Sequence, residues 1–153
     1  MNIRTPSVAL IGGILAWATV SADSALPLLS QDALLARAAK GADVPLVLDV
    51  RTPDEYVSGH VPGAVNIPHD QLAQRLAEVP KDRDVVLYCR SGRRTEIAGR
   101  VLTDNGYTRL QHLEGDIIAW VEKDRPVEKP RDAAACLEAL KAGLPAQQAC
   151  AAN

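Results

Sequence analysis

The chain has 153 residues, 47% hydrophobic and 24% charged, which suffices for one compact domain with its own core and leaves little room for a second. That composition excludes a wholly disordered chain, and a net charge of −2 from 17 basic and 19 acidic residues argues against a nucleic-acid or anionic-membrane binder. The cysteine count is three, so in an oxidising compartment one thiol is left without an internal partner.

Compartment is read at the start of the chain. Behind the single charge of Arg4, Val8–Val20 is an apolar run (VALIGGILAWATV), too short for the roughly 20 residues that span a bilayer and of the length of a signal-peptide core. Val20-Ser21-Ala22 puts small residues where a signal peptidase reads, which predicts a cleavable signal over 1–22 and a mature chain from Asp23. Cleavage takes away Arg4 and no acid, so the mature charge is 16 − 19 = −3. The mature protein is then expected to be periplasmic or secreted, free of the membrane, where disulfides form.

Beyond the signal, Ser30 caps a predicted helix through Ala38, with Leu34, Leu35 and Ala38 on one face and Gly41 as its stop. Leu46–Val50 is an apolar run broken only by Asp49, the pattern of a strand buried on both faces. Thr52-Pro53-Asp54-Glu55 is a capping box that opens a short helix ending near Gly59. Pro62-Gly63 turns the chain into a small strand, Ala64–Ile67, and Leu72, Leu76 and Val79 predict a helix over 70–79. Asp84–Tyr88 reads as a buried strand, Cys89–Arg94 as a tight loop, and Thr95–Asn105 as a helix with Ile97, Val101 and Leu102 inward. A strand at Arg109–Leu113 and a helix at Asp116–Lys123 close the series. Strands alternating with helices predict an α/β fold, a central parallel sheet of about five strands with helices on both faces.

Sites in such sheets form outside the carboxyl ends of the strands. Two strands deliver polar residues there: Asp49 with Arg51, and Cys89 with its loop. Cys89 stands between a strand and a helix, with Arg90, Arg93 and Arg94 in the next five positions. The helix dipole, loop N–H groups and guanidinium charges all favour a thiolate there. Ser91-Gly92 lets the backbone curl into an anion-binding nest. This is a loop for a nucleophile whose bound group is itself anionic.

Three blocks then resemble the rhodanese (sulfurtransferase) family in order and spacing: Asp49–Tyr56 (DVRTPDEY), Gly59–Pro68 (GHVPGAVNIP) and Cys89–Arg94 (CRSGRR). The similarity extends over about residues 28–127, a rhodanese-like domain within 23–130. It ends on Leu113-Glu114-Gly115 and Trp120, where the family has a glycine pair before a tryptophan and Glu114 is read as replacing the first glycine. The resemblance implies that Cys89 takes the outer sulfur of thiosulfate or a similar small anionic donor, holds it as a persulfide and yields it to cyanide or a thiol, with no cofactor. It makes Arg94 the loop-closing arginine and Arg90 and Arg93 the substrate-steering ones, with Ser91 and Gly92 completing the binding loop. Asp49, Arg51 and His60 are expected to support neighbouring loops rather than take part in the chemistry. Two rivals stand beside this reading. Cysteine-dependent phosphatases on the same fold resemble a loop with five residues before the arginine, whereas Arg94 comes after four; idle rhodanese-like binding modules generally lack the cysteine. His69 and His112 have no partner at metal-ligand spacing, so no metal site is expected.

Residues 131–153 extend past the resemblance as a helical tail. Asp132 caps a helix over Ala133–Ala142, Gly143 stops it and Pro145 begins another turn. Two such helices bring Cys136 and Cys150 together, and a disulfide is predicted between them, worth about 3 kcal/mol in the chain-entropy model. The alternative is a redox pair that accepts sulfur from Cys89.

Overall fold

The computed structural model describes residues 25–41 and 44–150; the predicted signal segment and its cleavage site lie outside them. Five parallel strands form one sheet: β1 (Leu28–Leu29), β2 (Leu46–Asp49), β3 (Val65–Asn66), β4 (Val85–Tyr88) and β5 (Leu110–Leu113), in the order β1-β5-β4-β2-β3. The register sets Leu48 opposite both Val65 and Leu87, and Val86 opposite Gln111. β4 lies at the centre with all four residues buried, which is why it reads as an unbroken apolar run. The connections β1→β2 and β2→β3 run one way along the sheet and β3→β4 and β4→β5 the other, so right-handed crossovers put α1 (Gln31–Lys40) and α2 (Pro53–Ser58) on one face and α3 (Arg93–Asp104) on the other. Among the described residues no helix is long and apolar enough to cross a membrane.

Local rules fix most element ends. Ser30 accepts the Ala33 N–H at the start of α1, and Gly41, in a left-handed conformation, ends it. Thr52 and Glu55 form the reciprocal capping box of α2, with Pro53 at the first helical position. Asp132 caps α5 (Ala133–Lys141), and α6 (Ala146–Ala149) follows Pro145.

Several expectations are corrected. The segment 70–79 is not an α-helix but two 3₁₀ turns, Leu72–Gln74 and Leu76–Glu78, neither with a side-chain cap. Pro68 and Pro80 leave it little length, and the Tyr107 hydroxyl bonds the carbonyls of Leu76 and Val79; leucines at helical spacing alone do not hold an α-helix against these. α3 starts two residues early, at Arg93, and its inner face is Thr95, Ala98, Gly99 and Leu102, with Ile97 exposed and Val101 half-buried. In α1, Leu34 and Gln31 are buried and Ala38 is exposed. β1 was not expected; among the described residues it pairs only with β5. The last helix of the domain, α4 (Asp116–Glu122), places Trp120 fully in the core.

Candidate active site

Cys89 follows β4 directly, and α3 begins four residues later. Between them Gly92 turns the backbone at φ +101°, a conformation that a side chain resists, and its N–H donates to Cys89 Sγ at 3.1 Å. The sulfur therefore sits at the mouth of α3, where the first-turn N–H groups have no intrahelical partner and the dipole is positive. A cavity of about 350 Å³ opens over it, lined by Cys89, Arg90, Ser91, Arg93 and Arg94 of the loop, with His69 and Ile97 completing the wall. Cys89 is only 1% exposed, so this cavity is its route to solvent. Anion-favouring donors, two arginines outside the ion pairs of the described residues and one buried thiol meet at a single opening.

Arg94 is turned away from free rotation by Glu55, with N–O distances of 2.5 and 2.8 Å in a fork-to-fork pair. The guanidinium, with the capping bonds of Thr52, holds the Glu55 carboxyl down to about 2 against the opposing effect of partial burial. The capping box of α2 thus serves two ends: it starts the helix and fixes the glutamate that anchors the loop arginine. The anchoring partner of Arg94 was not foreseen, because Glu55 already had a complete local explanation as a cap.

Beneath the loop lies a second group that sequence reasoning missed. Asp116, 3% exposed, accepts the Cys89 backbone N–H at 2.7 Å and the Thr95 hydroxyl at 3.2 Å on Oδ1, and pairs through Oδ2 with His112 Nε2 at 2.9 Å. Burial raises its carboxyl, but the bonds from His112, Cys89 N–H and Thr95 outweigh that and leave it below the usual carboxylate range. The backbone also corrects the glycine-pair alignment. Gly115 at φ +73° and Asp116 at φ +53° are the two left-handed residues here; Glu114 is not among them. Asp116, not Glu114, occupies the glycine-like position. Aspartate is one of the few residues that tolerate this conformation, the one sequence signal that could have shown it.

Asp49 and Arg51 form a separate, buried unit. Arg51 bonds Asp49 through Nε at 3.0 and 3.1 Å and through its terminal nitrogen at 2.6 Å, and donates to the Gly59 carbonyl at 2.9 Å. The Tyr88 hydroxyl donates to Asp49 at 2.6 Å and accepts the Val61 N–H. The pair ties β2, β4 and the Gly59–Val61 turn together, and neither residue lines the cavity at Cys89. His60 stacks on Tyr56 at 3.7 Å, with Nδ1 2.9 Å from the Tyr56 carbonyl; burial pushes its imidazole below the ordinary value despite that bond and nearby Glu128.

Cys136 and Cys150 are joined as a disulfide, with Cα atoms 4.6 Å apart. Cys150 borders another cavity, of about 440 Å³, beside His60 and Ala64. Cys150 and Cys89 thus border different cavities.

Comparison with known proteins agrees with the geometry. The family model for the rhodanese-like domain matches residues 30–123. A sulfurtransferase of Allochromatium vinosum is 42% identical over 102 residues, 67% of this chain and 94% of that protein. The thiosulfate sulfurtransferase PspE of Escherichia coli is 40% identical over 70 residues, 44% of this chain and 67% of its own length. Among solved structures, the Alr3790 protein of Anabaena superposes with a TM-score of 0.65 at 26% identity, covering 78% of this chain and 93% of that one.

Proposed function

This chain belongs to the rhodanese-like family, and from that premise we propose that it is a thiosulfate sulfurtransferase whose sulfur is carried on Cys89. The observation that carries the reading is the Cys89 sulfur accepting the Gly92 N–H at the start of α3, inside a cavity walled by Arg90, Arg93 and Arg94. Sulfur transfer in general is supported by the named activities of the relatives in Allochromatium and Escherichia. Thiosulfate as donor is supported by the arginines that line the cavity and by the named activity of the PspE relative.

In the first step the Cys89 thiolate attacks the outer sulfur of thiosulfate. A new S–S bond forms, the old one breaks, and sulfite leaves with its electron pair. Arg90 and Arg93 draw the dianion in and stabilise the leaving sulfite, while the free N–H groups at the start of α3 face the terminal persulfide sulfur, where the negative charge comes to rest. In the second step cyanide or a thiolate attacks that outer sulfur, and Cys89 leaves as the thiolate, ready for another turn. The protein undergoes no net oxidation and needs no cofactor for either step. Arg94, held by Glu55, keeps the loop closed around the sulfur.

We place the mature protein in the periplasm or outside the cell, on the strength of the apolar run and the Ala22 cleavage pattern. The N-terminal residue of the exported protein tests this, with Asp23 expected. Thiosulfate-to-cyanide transfer tests the activity. The expected result is thiocyanate production by the wild type, none by Cys89→Ser, and no hydrolysis of an aryl phosphate by the same preparation. Phosphate release that depends on Cys89, without thiocyanate, would move the chain to the phosphatase reading.

A further inference from the structure

The persulfide chemistry above uses the residues that face the cavity; it leaves unexplained the aspartate beneath them. Asp116 is buried, sits in a left-handed conformation at φ +53°, and has its lone pairs taken by donors of three different elements. These are the Cys89 N–H at the end of β4, the Thr95 hydroxyl in the first turn of α3 and the His112 ring on β5. A Cβ placed on Gly92 would lie 3.5 Å from both Asp116 Oδ2 and His112 Cε1, so the aspartate–histidine pair forms the floor on which the turn of the loop rests. The next residue, Ile117, donates its N–H to the Cys89 carbonyl at 3.2 Å. Both backbone groups of Cys89 are therefore held from one side, by consecutive residues.

We propose that Asp116, oriented by His112, is a positioning residue for sulfur transfer: it pins the backbone of Cys89 so that the sulfur stays under the Gly92 N–H and at the opening of the cavity. The inference rests on Cys89 being the sulfur carrier. Its physical basis is that the Cys89 N–H and the fully buried Thr95 hydroxyl would lose their acceptor without the carboxylate, and buried donors seek another partner rather than stay unpaired. A loop whose floor has to find new partners no longer holds one sulfur position. Asn at this position keeps an oxygen for Cys89 and Thr95 and tolerates the left-handed backbone; glycine suits the backbone better still but offers no acceptor.

Three variants of the full mature protein, Asp116→Asn, Asp116→Gly and His112→Ala, separate positioning from a merely structural role. Wild-type loading of one sulfur from thiosulfate, read by intact mass, is measured first; its absence overturns the Cys89 carrier reading itself and leaves Asp116 without the role proposed. Given loading, Asp116→Gly is expected to lower kcat for thiocyanate formation at least about tenfold, since small misplacement of a reacting group costs this much or more. KM for thiosulfate should stay within about twofold, because Arg90 and Arg93 are untouched. The melting temperature should not fall in proportion, because glycine relieves the backbone. Asp116→Asn should restore most of the lost kcat, and His112→Ala should reduce kcat less than Asp116→Gly. Wild-type kcat in Asp116→Gly overturns the proposal. So does a kcat in Asp116→Asn as low as in Asp116→Gly, or a loss in Asp116→Gly that tracks lost stability.

Discussion

Cys89 and Cys136 are equally hidden, each 1% exposed, yet they are surrounded by opposite chemistry. Cys136, on α5, is buried in the apolar core and is bonded to Cys150. Cys89 ends a central strand under a helix N-terminus, with an N–H on its sulfur, arginines at its opening and no disulfide partner. Burial alone does not make a cysteine inert or reactive. The partners that burial forces on the sulfur decide, and here one site is built to hold an anion and the other to hold two segments of chain together.

The predictions test that contrast in order of expected size. Replacing Cys89 with serine should lower sulfur transfer by more than about a thousandfold while leaving the melting temperature near that of the wild type, measured by thiocyanate assay and thermal unfolding. Replacing Arg51 with methionine should do the reverse. It leaves Asp49 charged, buried and unpaired, at a cost of about 3–5 kcal/mol of stability in chemical denaturation, with kcat of the folded fraction little changed because neither residue lines the cavity. Removing both tail cysteines as serines should cost about 3 kcal/mol and leave kcat within about twofold; a large loss of kcat would show that the tail acts on the catalytic loop.

The smallest effect concerns Glu55. Its folded value is about 2 against an ordinary 4.5, so its contribution to stability is fully present above pH 4.5 and is lost as the pH falls through about 2. The pair with Arg94 is partly open to water, so the contribution is below about 1 kcal/mol. Denaturation midpoints compared between pH 6 and pH 2.5 should fall less in Glu55→Gln than in the wild type, the remaining fall coming from carboxyls such as Asp84 and Asp116 that are also held low.

Much of this architecture is legible because it is local. The strand of β4 is an unbroken apolar run, the capping box of α2 is written in four residues, and the cysteine, glycine and arginines of the loop are adjacent in the chain. What was not legible acts across the chain. β1 has two residues and exists through its pairing with β5; the turns of 70–79 depend on a hydroxyl supplied by Tyr107. Asp116 reaches Cys89 from 27 positions away, and its place in the glycine pair shows only in backbone angles, so one residue of slip put Glu114 there instead. Ile97 obeyed the helical pattern and still faces outward, since the loop cavity opens beside it and small residues, Ala98 and Gly99, fill the inner face.

The central claim is that Cys89 alone among the three cysteines carries sulfur. The direct measurement is the intact mass of the oxidised protein after exposure to thiosulfate and removal of excess donor. A gain of about 32 Da, one sulfur atom as a persulfide, is expected in the wild type and in the Cys136→Ser, Cys150→Ser double variant, and is absent from Cys89→Ser. No gain in the wild type, or a gain that survives the loss of Cys89, would contradict it.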